Sequence, residues 1–294
     1  MQSLQFELHA NMEQRHWWFV ARRQVMRAVV ERLVPPQAGG DSSRRATVID
    51  VGCGTGANIA ALADGYHAVG IDTSPDAIRF AAQRFPDVDF RAGYAPGDLG
   101  DCLPQAKLVM MMDVLEHVPD DFQLLSGIMS AASEGTYFLL TVPADLALWS
   151  PHDETFGHYR RYDAARFRQL WADLPVEECL LTPFNTRLYP LIRLIRGWNR
   201  RRQQSTGEVG TDFDIPSTWK NQILRSVFAG ERKRILRTLD GSSAATRMRG
   251  VSLMAVLRRG AGVIDVQTKP EAATDFFDPV AGEYLSTDPA CVLA

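Results

Sequence analysis

Three glycines on alternate positions, Gly52, Gly54 and Gly56, follow the apolar run Thr47–Val51, and Asp72 stands sixteen residues after the last of them. A strand that turns sharply into a helix offers backbone N–H groups and the positive end of the helix dipole to a ligand. Glycine is needed where such a loop takes positive φ, or where a Cβ would strike the ligand. An acid closing the next strand, about twenty residues from the first glycine, is placed to accept hydrogen bonds from a ribose. Two cofactor classes use this device. Gly52, Gly54 and Ala57 fit the looser dinucleotide spelling, so on this loop alone an NAD(P)-dependent oxidoreductase stays open.

A second group of residues could handle protons or anions. His117 follows a short apolar run, and the stretch from 144 to 162 crowds His152, Asp153, His158, Arg160, Arg161 and Tyr162. An imidazole titrates near neutrality, so His117 or His158 could serve as a general base; each could equally hold a loop by hydrogen bonds. Arg160 and Arg161 offer donor forks for a carboxylate or phosphate, or for ion pairs with Asp153, Glu154 or Asp163. No ligand spacing typical of a metal site is visible, and Cys53, Cys102, Cys179 and Cys291 are scattered, so neither a metal nor a disulfide framework is expected. His16, Trp17, Trp18 and Phe19 with Arg22 and Arg23 read as a lid over a cofactor, or as aromatics docking a helix on the core.

These residues must be carried by alternating strands and helices. A helix is expected over 11–34, stopped by Pro35 and Pro36, then a linker over 37–45. Strands are expected over 46–51, 67–72, 88–93, 107–113 and 135–143, with helices after Gly56, over 74–85 and over 120–133. A helix from 163, a strand near 177–182, helical stretches over 189–202 and 217–239, and a last strand over 250–259 complete the pattern. Continuous apolar strands alternating with helices imply a parallel sheet covered on both faces, the doubly wound α/β class.

The wider spelling separates the two cofactor classes. "DVGCGTG", "GID", "MMMDVLEHV" and "LLTVP" resemble, in order, the motifs of class I S-adenosylmethionine-dependent methyltransferases. The stretches "HWWFVARR" and "HYRRYD" are similar to a bacterial subgroup with an H-W-W-F entry helix and an H-x-R-R-Y loop, and the likeness runs from about 8 to 259. The resemblance implies a seven-stranded, mostly parallel sheet with S-adenosylmethionine as cofactor. Asp50, Gly52, Cys53, Gly54 and Gly56 would hold its methionine end, Asp72 its ribose, and Thr73, Gly93 and Tyr94 would lie at the adenine. Asp98 is a substitute partner there, because the aspartate that follows the glycine in many relatives is replaced by Tyr94. Met112 and Asp113 would face the cofactor from the fourth strand, and Trp18 and Arg22 from the lid. His117, His158, Arg161 and Tyr162 are the candidate catalytic residues.

The implied organisation is a lid helix over 1–40, a methyltransferase domain over 41–259 with a cap insertion at about 184–245, and an acidic tail over 260–294. The implied reaction is methyl transfer to a small-molecule acceptor that carries an anion, with oxygen preferred over nitrogen or carbon. A peptide acceptor and a non-catalytic cofactor-binding protein are the rivals. The chain has 294 residues, 46% of them hydrophobic and 23% charged, and a formal net charge of −3. That balance argues against nucleic acid as partner. No apolar run suits a membrane span, no signal peptide is visible, and a reducing cytoplasm is expected. The basic stretch 187–202 is expected to cap the pocket rather than lie on a membrane; the acidic tail is expected to be disordered, with docking on that helix, within the chain or across a homodimer, as the alternative.

Overall fold

The computed structural model describes residues 2–36, 45–202, 215–242, 248–266, 276–278 and 283–285. Seven strands form one sheet: β1 (Thr47–Val51), β2 (His67–Asp72), β3 (Asp89–Ala92), β4 (Ala106–Met112), β5 (Tyr137–Pro143), β6 (Val176–Phe184) and β7 (Ser252–Arg259). Their order is β3-β2-β1-β4-β5-β7-β6. β7 runs antiparallel between β5 and β6, and the pairings among the first five strands are parallel. This is the doubly wound, mostly parallel sheet expected. The strand order reverses between β1 and β4, so their carboxyl ends open the crevice where α/β sheets take ligands.

Neighbouring residues of β1 feed different cores. Ile49 and Val51 join the cluster that contains Phe122, Phe138, Phe167 and Trp171. Val48 joins the opposite one, with Val25, Val29, Met110, Met112, Phe228 and Ile235. A sheet buried on both faces has no polar side, which is why its strands read as continuous apolar runs.

The entry segment is two helices rather than one: α1 (Gln2–Arg15) and α2 (Trp17–Leu33). His16 breaks them by leaving helical geometry (φ −71°, ψ 133°) and capping α2, its side chain accepting from the Trp18 N–H. Asn221 fastens the break from far along the chain: its Oδ1 accepts from Trp17 N at 2.8 Å and its Nδ2 donates to Arg15 O at 2.7 Å. α2 buries Val25, Met26, Val29 and Val30 completely, at roughly 1.5–3 kcal/mol per side chain. Arg22 lies on the same buried stripe, one turn from Val25 and Met26.

The helix after Gly56 is short, α3 (Ala57–Ala60); α4 (Pro75–Arg84) is capped by Ser74, α5 (Cys102–Gln105) precedes β4, and α6 (Asp121–Ala131) precedes β5. The loop expected over 144–162 carries a short helix, α7 (Pro151–Thr155), and α8 (Ala164–Gln169) follows it. Between β6 and β7 lie α9 (Tyr189–Arg202), α10 (Thr218–Ala229) and α11 (Arg232–Leu239). The helical stretch expected over 217–239 is split at Glu231, a buried carboxylate that accepts from Thr186 Oγ1 at 3.0 Å and Arg187 N at 2.9 Å. In the tail, β8 (Phe276–Asp278) and β9 (Glu283–Leu285) pair antiparallel, where no element was expected; the rest of the tail after 266 lies outside the described residues. No helix among the described residues is long and apolar enough to cross a membrane.

Candidate active site

At the end of β1 the chain folds over β2: Gly52 N and Cys53 N both donate to Ile71 O, at 2.8 and 3.1 Å. Gly52, Gly54 and Gly56 all have positive φ (70°, 54° and 85°). The two oxygens of Asp72 each accept one backbone N–H, Oδ2 from Gly54 and Oδ1 from Ser74, both at 2.9 Å. The acid therefore ties the glycine loop to the start of α4. Asp50 is buried in β1, and neither of its carboxylate oxygens has a hydrogen-bond partner. Burial pushes its pKa up to about 7, partly countered by Arg22.

A cavity of about 850 Å³ opens beside this loop. Gly52, Cys53 and Gly54 form one wall, Met112 and Asp113 the floor at the end of β4, and Trp18 and Arg22 a wall from α2. Arg22 Nη1 lies 2.6 Å from Asp113 Oδ2, and its guanidinium sits over the Trp18 ring at 4.7 Å. Asp113 is held in turn by Thr141, whose Oγ1 donates to its Oδ1 at 2.9 Å. From α1, Glu13 accepts from Thr55 Oγ1 and from Arg84 Nη1, the latter at 3.2 Å, which fastens the entry helix to the glycine loop. The far wall is apolar and comes from the segment between β6 and β7, with Leu188, Leu191, Ile192 and Ile195 of α9 and its approach and Leu224 of α10.

Seven of the expected cofactor residues thus line one cavity: Trp18, Arg22, Gly52, Cys53, Gly54, Met112 and Asp113. Asp50, Gly56, Asp72, Thr73, Gly93 and Tyr94 fall outside its lining. Tyr94 is 72% exposed, and its N–H donates to Asp98 Oδ2 at 2.7 Å, so Asp98 shapes that turn.

The opposite corner is polar. His117 and His158 lie edge to face with ring centroids 4.6 Å apart, and one ligating atom of each lies within 4.8 Å of the Glu116 carboxylate and of the other. His117 is exposed on the rim of this corner, and desolvation by the surrounding groups, then the neighbouring His158, lowers its pKa. Glu116 is fully buried, neither carboxylate oxygen has a hydrogen-bond partner, and burial pushes its pKa well up. His158 Nδ1 faces Asp153 Oδ1 at 2.9 Å. A carboxylate partner makes that nitrogen the N–H donor, which leaves Nε2 as the acceptor of the neutral ring. Burial alone would raise the pKa of Asp153, yet Arg161 and His158 hold it well below the usual carboxylate range.

Two of the catalytic candidates take other roles. Arg161 touches the cavity, but its Nε and Nη2 bind the two oxygens of Asp153 at 2.9 and 3.0 Å and its Nη1 donates to Ala144 O. The internal ion pair expected of the arginines is thus present at Arg161. Arg160 is likewise buried, donating to Val118 O at 2.8 Å and Pro119 O at 2.7 Å, with Asp121 at 3.3 Å. Tyr162 does not reach the cavity: it is buried in the core and its hydroxyl donates to Asp121 Oδ2 at 2.8 Å. Its large apolar ring decided its place.

Sequence reasoning missed Glu116 and Asn185. Glu116 stood inside a quoted motif, but only the fold shows it buried and unpartnered. Asn185 follows β6, has φ 54°, is completely buried on the cavity wall, and neither end of its amide has a hydrogen-bond partner; no neighbouring motif marks it.

A sheet of this order with a glycine loop and an acid at its switch point defines a class I methyltransferase fold. Residues 18–179 match the family model described as "Methyltransferase domain", and the chain belongs to that family. It is 30% identical over 125 residues to an uncharacterized methyltransferase of Mycolicibacterium gilvum (strain PYR-GCK), a match spanning 41% of this chain and 48%, about half, of that relative. Among solved structures it is similar to the plantazolicin methyltransferase BamL in complex with a triazolic desmethylPZN analog and SAH (TM-score 0.50, 13% identity, 88% of this chain and 90% of that one). It is also similar to the [4+2]-cyclase SpnF (TM-score 0.51, 16% identity, 82% of each chain). At these identities both show the fold alone.

Proposed function

We propose that this protein transfers the methyl group of S-adenosylmethionine to an oxygen of an enclosed small-molecule acceptor. One observation carries the reading: the bare glycine loop and the polar corner of Glu116, His117 and His158 face a single cavity. Its volume of about 850 Å³ falls in the usual range of small-ligand sites, about 300–1,000 Å³. A cofactor lying against Gly52–Gly54, with its carboxylate end toward Arg22 and His16, turns its sulfonium toward Asp113 and the corner beyond. In-line displacement gains most from orientation, and the lid and cap supply it by closing the cavity from two sides.

The corner favours oxygen, because a hydroxyl must lose its proton as it is methylated. His117, whose pKa is lowered from the usual imidazole value, and His158, whose Nδ1 faces Asp153, are the two candidate bases. The apolar wall from the cap suits an acceptor with an apolar body, and Lys220 and Arg196 at the same cavity suit one carrying an anion.

Calorimetry with S-adenosylhomocysteine tests the cofactor, and incubation of the protein with methyl-labelled S-adenosylmethionine and a hydroxylated metabolite extract tests transfer. The expected result is a labelled methyl ether or ester, lost in His158→Gln. A labelled amine or C-methyl product removes the oxygen assignment, and absence of S-adenosylhomocysteine binding removes the whole reading.

A further inference from the structure

The same corner has the composition and support of a metal site. We propose that Glu116, His117 and His158 bind one divalent first-row transition ion, of the zinc or cobalt kind. The inference of the ion rests on this chain's own donors; only its use, holding an oxyanion of the acceptor, rests on the methyl-transfer reading above.

Three observations converge. The ligating atoms of the three side chains lie within 4.8 Å of one another, close enough for small side-chain adjustments to bring them around one ion at about 2.0–2.2 Å. One histidine also has the outer partner a ligating imidazole needs: His158 Nδ1 lies 2.9 Å from Asp153 Oδ1, which favours the tautomer that leaves Nε2 free to ligate. Asp153 is fixed in its turn by Arg161 and by Ser150 N. The third observation is charge. Of the acids at this corner, Asp113 is paired with Arg22 and Asp153 with Arg161. Glu116 has no such partner: it is completely buried, with both oxygens unbonded. A buried carboxylate in that state is costly unless a proton or a cation meets it.

Two imidazole nitrogens and one carboxylate oxygen favour zinc, cobalt, iron or manganese over magnesium or calcium, which take oxygen shells. Three protein ligands leave positions open, and these face the cavity, where the acceptor's oxygen can complete the shell. Glu116 and His117 are adjacent in the loop after β4 and His158 comes from the loop after α7, so the third donor is remote and no spacing pattern announced the set.

The test uses the full chain without a polyhistidine tag, stripped with chelator and titrated with Co²⁺. The expected result is visible ligand-field bands that saturate at one equivalent, with affinity at least about tenfold weaker in Glu116→Gln and about 10–100-fold weaker in Asp153→Asn, which removes only the outer support. Calorimetry with S-adenosylhomocysteine on the metal-free protein shows which variants remain folded and tests the methyl-transfer reading independently. X-ray absorption of the Zn²⁺-loaded unsubstituted protein decides the matter even if a variant fails to fold: two imidazoles in the shell support the site, and a shell without imidazole overturns it. Absence of saturable bands, or bands undiminished in a folded Glu116→Gln, overturns it as well.

Discussion

Replacing Gly54 and Gly56 separately by alanine distinguishes a loop built for a ligand from one built only to turn. Both residues have positive φ, so each alanine costs about 1–2 kcal/mol of left-handed strain. They differ in what the new methyl meets. At Gly56 a Cβ would lie 2.6 Å from Phe90 Cζ and 3.0 Å from Ala81 Cβ, and moving those core groups adds about 1–3 kcal/mol. With about 2–4 °C lost per kcal/mol in a domain of this size, Gly56→Ala should melt roughly 4–20 °C lower. At Gly54 nothing lies within 4 Å of the Cβ position, so stability falls by the backbone cost alone, roughly 2–8 °C. Gly54 lines the cavity, however, and its methyl takes space proposed for the cofactor. A ligand pushed off the main chain should bind at least about tenfold more weakly, about 1.4 kcal/mol. Scanning calorimetry gives the first quantity and titration calorimetry with S-adenosylhomocysteine the second. If Gly54→Ala binds within about twofold of the parent, the loop is not a cofactor cradle and the reasoning fails.

Three further substitutions separate structure from chemistry. Asp50 has a folded pKa raised to about 7 against about 3.9 when unfolded, so folding is disfavoured progressively as pH rises between those values. Asp50→Asn should therefore match the parent near pH 4 and exceed it above pH 7 by up to about 4 kcal/mol in urea unfolding; an equal shift at both ends would refute the assignment. Arg160→Met removes the donor to Val118 O and Pro119 O and leaves Asp121 with less compensation. It should cost about 3–5 kcal/mol of stability while S-adenosylhomocysteine affinity, measured calorimetrically, stays near the parent's. Glu13→Ala releases α1 from Thr55 and Arg84 at about 1–3 kcal/mol. Limited proteolysis should then cut near 15–17 faster, and an unchanged cleavage rate would show that Glu13 does not fasten the lid.

Much of the fold was legible because its determinants are local. The strands of a doubly covered sheet are short apolar runs, and Ser74 with Pro75, or Asp120, marks a helix start by residue type alone. The breaks were not legible, because their causes are remote. His16 sits in an apolar-periodic stretch, and Asn221, more than two hundred residues later, bonds to the chain on both sides of the break there. Glu231 splits the cap in the same way by receiving Thr186 and Arg187.

The site divides along the same line. A position set by the main chain, such as the glycine turn, follows from spacing, and Asp113 after β4 was implied by the motif resemblance. What a polar side chain does depends on which charges the fold brings to it. Arg160, Arg161 and Tyr162 stand consecutively, yet Arg160 serves the carbonyls before α6, Arg161 serves Asp153, and Tyr162 serves Asp121. Asp153 is matched by Arg161 and Asp113 by Arg22, whereas both carboxylate oxygens of Glu116, the acid beside the histidines, have no hydrogen-bond partner. The crowded loop therefore works as a brace: it neutralises its own charges and leaves a single carboxylate and two oriented imidazoles open to whatever enters the cavity.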